Sequence, residues 1–237
     1  MPRLLGVYKL GSDGLQAAGV MEFEYMANEA DMIQPTLLPA AQPGFVHYPG
    51  DLDLSAQQQL VTTLRAVVAA APLYDPVTPG GRKMSVRMTA AGRLGWITDR
   101  AGYRYAPHHP AGMAWPAIPD PVLAIWQQIT GLDRRPDCCL LNFYGEGAKM
   151  GLHQDKDEGD FSWPVLSISL GDEALFRLGG TDRRDPTRSL WLKSGDVLVM
   201  GGAARLAWHG IDRLRYRSSR LLPNGGRINL TLRVVAD

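Results

Sequence analysis

A mainly β domain with helices laid against one sheet is the fold class this sequence predicts, and three observations carry that prediction. Two helical segments come early in the chain, and at least six short strand-like segments follow Pro136. The length of 237 residues, with 45% hydrophobic and 21% charged side chains, is ordinary for one globular domain. Helices first and strands later suit a β-sandwich or barrel backed by helices.

The first helix is expected over Ser55–Ala70. Ser55 and Gln58 have capping-box spacing, and Leu60, Val61, Leu64, Val67 and Val68 give it an apolar face. The second opens at Asp120-Pro121, with Asp120 as N-cap and proline in the first turn, and ends at Gly131. Residues 77–115 between them are rich in Gly, Arg, Tyr and Pro and read as short strands with long loops. The later strands are expected at Cys138–Tyr144, Pro164–Leu170, Ala174–Leu178, Ser189–Leu192, Val197–Met200 and Arg227–Val235. Residues 1–31 are acidic and weakly patterned, which predicts an N-terminal extension with poor order, and Met21, Met26 and Met32 each offer an alternative start.

Composition excludes several classes. The chain carries too many apolar residues for disorder and has no run of about 18 apolar residues to span a membrane. The first 15 residues lack a long apolar core, so no signal peptide is expected and the cytoplasm is the expected location. The two cysteines, Cys138 and Cys139, are adjacent in an apolar run and read as reduced strand residues. Formal charge is only +1, yet residues 1–60 carry −5 and residues 173–237 carry +6. A basic C-terminal third suits either a solvated surface or a polyanionic partner.

The sharpest local feature is Leu152-His153-Gln154-Asp155. On an extended segment His153 and Asp155 share a face, and together they reach one metal ion or simply bond to each other at the surface. Of the five histidines, His209 is the best third ligand, because an apolar stretch, Leu198 to Trp208, leads to it and Gly210 permits a tight strand exit. Two His and one carboxylate leave three octahedral positions open, as in the non-haem Fe(II) oxygenases. A structural zinc site would be closed by four ligands, usually with Cys, and the cysteines here are in the wrong pattern.

The second feature is the strict alternation of Arg227-Ile228-Asn229-Leu230-Thr231-Leu232-Arg233-Val234. Its polar face either meets solvent or lines a cavity. In a cavity, the arginines would clamp an anionic small molecule such as a dicarboxylate. Asn142 and Tyr144 form a second polar pair, two apart on a strand, that suits the same cavity.

Together these motifs resemble the AlkB family of Fe(II)- and 2-oxoglutarate-dependent dioxygenases, over roughly residues 45–235. The run from Leu152 to Glu158 looks like that family's iron motif, and Ser162 to Gly171 like the strand after it. Ser194 to Gly202 leads into His209-Gly210-Ile211, and Arg227, Asn229 and Arg233 sit in an Arg-x-Asn-x-Thr-x-Arg motif. Met84 to Thr89 and Gly95 to Thr98 look like its nucleotide-recognition lid.

The resemblance implies a double-stranded β-helix, or jelly roll, over 136–237 with a lid over 77–115, within one dioxygenase domain spanning 32–237. It implies Fe(II) on His153, Asp155 and His209, with O2 and 2-oxoglutarate as cosubstrates. Arg227 would pair with the distal carboxylate and Arg233 would act near the metal-bound one, while Asn142, Tyr144 and Asn229 would complete the pocket. Trp96 and Asp157 would take part in catalysis on the base, Trp96 by stacking and Asp157 by facing a cationic adduct. Tyr103, Glu158 and Arg183, with Arg184 beside it, are further substrate contacts.

The implied reaction is oxidative dealkylation of bases such as 1-methyladenine and 3-methylcytosine, in DNA or RNA, by a monomer that favours single strands. Formaldehyde, succinate and CO2 are released. A dioxygenase of the same fold acting on a protein or small molecule is the alternative. A binding module without catalysis would not keep every ligand and both arginines.

Overall fold

The computed structural model describes residues 43–235 together with three short strands nearer the N-terminus. In chain order the strands and helices are β1 (Leu5–Val7), β2 (Val20–Glu22), β3 (Thr36–Leu37), β4 (Phe45–Tyr48), α1 (Leu54–Ala70), β5 (Val86–Gly92), β6 (Gly95–Asp99), β7 (Gly102–Ala106) and α2 (Asp120–Thr130). There follow β8 (Cys138–Tyr144), β9 (Met150–His153), β10 (Val165–Gly171), β11 (Glu173–Leu178), β12 (Arg188–Leu192), β13 (Val197–Met200), β14 (His209–Arg215) and β15 (Arg227–Arg233). The expected extension over residues 1–31 lies almost wholly outside the described residues.

Alternation along β15 separates an inner side from an outer side. β15 lies between β10 and β8 in a seven-stranded antiparallel sheet ordered β3-β4-β13-β10-β15-β8-β5. Leu230 and Leu232 point outward with Leu141, Leu166 and Ile168. There they meet Leu60, Val61 and Leu64 of α1 and Val122, Ile125 and Trp126 of α2. Each such side chain contributes about 1.5–3 kcal/mol by leaving water. Leu64→Ala, which removes a fully packed α1 residue, should cost about 2–5 kcal/mol.

The inner side of this sheet, with Val86, Met88, Leu140, Val165 and Leu198, packs on Ala174, Phe176, Leu178 and Ile211 of a four-stranded sheet ordered β12-β11-β14-β9. The two facing antiparallel sheets form the jelly-roll core. The polar side chains of β15 therefore enter the space between the sheets, and Arg227 is fully buried. This resolves the ambiguity of that stripe in favour of a cavity.

Several boundaries differ from expectation. Asp53, not Ser55, caps α1, its carboxylate accepting from Ala56 N at 2.7 Å. α2 begins at Asp120 itself, one residue earlier than expected, with Pro119 in the cap position; Gly131 ends it at a left-handed φ of 66°, which glycine adopts without strain. Residues 86–92, expected within the lid, form the edge strand β5 paired with β8. The separate piece is the β6–β7 hairpin. His209 opens strand β14 where a strand exit was expected, and Gly210 beside it is needed for close approach. A Cβ there would lie 2.6 Å from the Met150 carbonyl of β9. Cys138 and Cys139 are free and buried in β8. Among the described residues no helix is long and apolar enough to cross a membrane.

Candidate metal centre

β9 and β14 are neighbours in the minor sheet, and their register sets His153 opposite His209. Asp155 follows two residues after His153, where the chain leaves β9. One ligand atom from each of the three lies within 4.8 Å of the others. Nε2 of His153 stands 3.7 Å from Oδ1 of Asp155, and Nε2 of His209 stands 3.7 Å from Oδ2.

Both imidazoles are oriented by backbone. Nδ1 of His153 lies 2.9 Å from the Gly151 carbonyl, and Nδ1 of His209 lies 2.9 Å from the Ala207 carbonyl. A carbonyl only accepts, so each Nδ1 carries the proton and each Nε2 presents a lone pair to the shared centre. Burial, helped by His153, pushes His209 down to about 4, so it is neutral near pH 7. Burial alone would raise Asp155, but the Arg233 guanidinium, with His209 and His153, holds it well below the usual carboxylate range. Two imidazoles with Nε2 turned to one centre and one carboxylate, with no fourth protein ligand among the described residues, fit an octahedral cation with open positions.

Arg233 and Arg205 hold the carboxylate loop. Nη2 of Arg233 lies 2.8 Å from Oδ2 of Asp155. The buried Arg205 donates to the Asp155 carbonyl at 2.7 Å and to the Trp163 carbonyl at 2.9 Å, and pairs with Glu158 at 3.1 Å. Tyr105 of β7 donates to Glu158 at 2.5 Å and accepts from Arg233 at 3.1 Å. Glu158, expected among the substrate contacts, is turned inward instead, because two guanidiniums and a phenol consume its carboxylate.

Arg227 is the deepest charge of the polar stripe. Its Nη2 donates to Ser169 at 2.7 Å, while Nε and Nη1 are buried without a partner. Burial lowers it to about 10, so it remains a cation near pH 7. Tyr144 pairs in register with Arg227, and its phenol, pushed up to about 12 by burial, is coupled electrostatically to Arg227 and Asp155. Asn142 is buried, and its Oδ1 also has no partner. A buried cation with two orphaned donors costs stability unless an anion completes it, so the cavity fits a small carboxylate. Asn229 donates to Ser167 and to the Ile168 carbonyl, so its amide is already committed.

Trp96 and Tyr103 sit diagonally on the hairpin and stack at 5.5 Å and 16°. Trp96 Nε1 donates to Asp157 at 2.7 Å. Arg183 lies over the ring of Trp208, next to His209, at 5.1 Å. Arg184 pairs with Asp182 at the surface. Ser167, Ser169, Tyr105 and Arg205 also build this region; the run Ser162 to Gly171 took in the two serines without a role, and nothing in the sequence singled out Tyr105 or Arg205. Only the Ser-x-Ser spacing on a strand beside the Arg-x-Asn pair was available to suggest the two serines.

A family model described as the 2OG-Fe(II) oxygenase superfamily matches residues 44–233. An alpha-ketoglutarate-dependent dioxygenase AlkB homolog of Caulobacter vibrioides is 55% identical over 192 residues, covering 81% of this chain and 87% of that protein. The DNA N(6)-methyladenine demethylase ALKBH1A of Arabidopsis thaliana is 44% identical over 84 residues, 35% of this chain and 24% of that protein. The solved structure of OsALKBH1 superposes with a TM-score of 0.69 at 29% identity, over 85% of this chain and all of that one.

Proposed function

The chain belongs to the 2OG-Fe(II) oxygenase superfamily, within its AlkB family, and from that premise we propose that it dealkylates nucleic-acid bases oxidatively. It is a 2-oxoglutarate-dependent dioxygenase that uses Fe(II) and O2. In this reading the substrates are single strands bearing cationic adducts such as 1-methyladenine or 3-methylcytosine. The observation that carries the nucleic-acid half is the aromatic hairpin bonded to the acidic loop beside the metal centre, Trp96 to Asp157.

His153, Asp155 and His209 would hold the iron, and Arg227 the distal carboxylate of 2-oxoglutarate, with Ser169 orienting its guanidinium. Tyr144 and Asn142 would border the same carboxylate chain. Bound iron would use O2 as oxidant and 2-oxoglutarate as co-reductant to hydroxylate an N-alkyl carbon, one oxygen atom going to that carbon and the other to succinate, with CO2 released. The protein's own work is positional. A stacked base cannot reach a centre between two sheets, so the base must leave its stack. Trp96 offers its face to that base, and Tyr103 backs the indole. His153, the more exposed of the two histidines, bounds the other side. Asp157 faces the positive charge of the adduct. After hydroxylation, the hydroxymethyl group on nitrogen collapses to formaldehyde and leaves the repaired base.

The test is substrate-stimulated decarboxylation. CO2 release from 2-oxoglutarate should rise severalfold with a 1-methyladenine oligonucleotide and not with its unmethylated twin. Equal rates with both would overturn the substrate assignment and leave the family intact.

A further inference from the structure

The outer face of the minor, four-stranded sheet carries an aromatic ring and several arginines. Helices α1 and α2 cover the outer face of the major sheet. Among the described residues nothing packs over the minor one. Register brings Trp191 of β12, Leu175 of β11 and Arg213 of β14 into one row across it. The Trp191 ring lies under two guanidiniums, with Arg215 at 4.4 Å and Arg213 at 6.0 Å. Both arginines are well exposed, at 57% and 67% of their side-chain surface. Arg215 also pairs with Glu173, and Arg213 meets Asp212 only at 3.9 Å.

One strand, β14, carries both His209 and the two arginines of this face. β14 starts at His209 and reaches Arg215 six residues later, about 20 Å at strand rise. Arg183 is exposed and lies over Trp208 at the His209 end, whereas Arg188 shares a row with Leu178 and His209 and so belongs to the inner side of β12. Neither Arg183 nor Arg188 forms an ion pair among the described residues. Strand-tracking surfaces combine cations for phosphates with an aromatic ring on which an unstacked base can lie. Both components are present in the half-buried Trp191 ring and the two guanidiniums stacked with it, and Arg183 supplies a further cation beside Trp208.

We propose that the outer face of the minor sheet, centred on Trp191, Arg213 and Arg215, is a second docking surface for the single strand that carries the adduct. It engages nucleotides flanking the one delivered to the metal centre. The inference rests on the nucleic-acid reading above and adds a place for the rest of the strand. None of these three residues touches the metal or cosubstrate region, so they should affect long substrates and spare short ones.

The experiment compares wild type, Trp191→Ala and Arg213→Glu on a 1-methyladenine strand of about five nucleotides and one of about twenty, with binding of the unmethylated long strand measured at two salt concentrations. Both variants should raise KM for the long substrate about fivefold or more, with kcat and short-strand kinetics unchanged. Arg213→Glu should also flatten the salt dependence of long-strand binding, by roughly 0.7 or more in the log–log slope. Because Arg213 is exposed, its variant stays informative if Trp191→Ala fails to fold. Unchanged long-strand KM and binding in a folded Arg213→Glu would overturn the proposal. So would polyglutamate competing as well as the oligonucleotide, which would mark the face as a site for an acidic protein. Failure of the wild type to act on the short methylated strand would instead overturn the dealkylase reading, while long-strand binding still reports on this face.

Discussion

The indole N–H of Trp96 donates a 2.7 Å hydrogen bond to Oδ2 of Asp157, tying the β6–β7 hairpin to the loop that carries Asp155. In the proposed function the stacking ring and the acid facing the adduct would therefore act as one unit. Trp96→Ala should weaken binding of a methylated oligonucleotide by about 1–3 kcal/mol, while iron and 2-oxoglutarate binding stay intact. Asp157→Ala should mainly change the ranking of cationic adducts. Trp96→Phe keeps a ring and loses the donor, so its effect and that of Asp157→Asn should fall short of additivity by about 0.5 kcal/mol or more in a double-mutant cycle on oligonucleotide affinity. Full additivity would show the bond has no energetic role.

Arg227→Lys should be damaging although it keeps a charge. One ammonium cannot replace a planar fork whose Nη2 is held by Ser169 while Nε and Nη1 await an anion. A charge-assisted hydrogen bond is worth about 1.5–3 kcal/mol, so apparent 2-oxoglutarate affinity should fall about tenfold or more. An unchanged dependence of turnover on 2-oxoglutarate would remove Arg227 from the pocket.

His153→Ala, Asp155→Ala and His209→Ala should each abolish turnover and weaken Fe(II) binding in a direct titration, because each removes one of three ligands. Asp155→Ala should differ in one respect. It strips Arg233 of its nearest carboxylate, at 2.8 Å, and leaves only Glu158 at 3.5 Å and the Tyr105 hydroxyl, so stability should fall by about 1–3 kcal/mol. Its metal-free melting temperature should drop well below that of His153→Ala, whose side chain is 40% exposed. Equal melting temperatures would contradict the pairing.

Much of this was legible in the sequence because the informative residues are close together. His153 and Asp155 are two apart, and the polar face of β15 lies within seven residues. The residues around them were not legible, because pairing between distant strands brings them in. Ser169 reaches Arg227 only through the β10–β15 register, and Tyr105 reaches Arg233 across 128 positions. β9 and β14 went unread because β9 has only four residues and β14 is interrupted by a register shift between His209 and Ile211. The cap of α1 was expected at Ser55, and the bond to Ala56 N gives it to Asp53 instead.

Tyr105 supports a prediction about motion. Its hydroxyl bridges the hairpin to Glu158 and Arg233. Tyr105→Phe should raise amide hydrogen exchange across Gly95–Ala106 while leaving β8, β10 and β15 protected, and should lower overall stability by about 1–3 kcal/mol. Uniform exchange changes, or none, would show that the hairpin is held by other contacts.

Anaerobic reconstitution with Fe(II) and 2-oxoglutarate, followed by oxygen and a single-stranded 1-methyladenine oligonucleotide, with formaldehyde, succinate and unmodified adenine measured together, separates dealkylation from uncoupled turnover. A dealkylase should give all three in nearly equal amounts, none of the adenine without iron, and no formaldehyde from the unmethylated strand. Succinate formed at the same slow rate with either strand, with no formaldehyde and the methylated base unchanged, would contradict dealkylation.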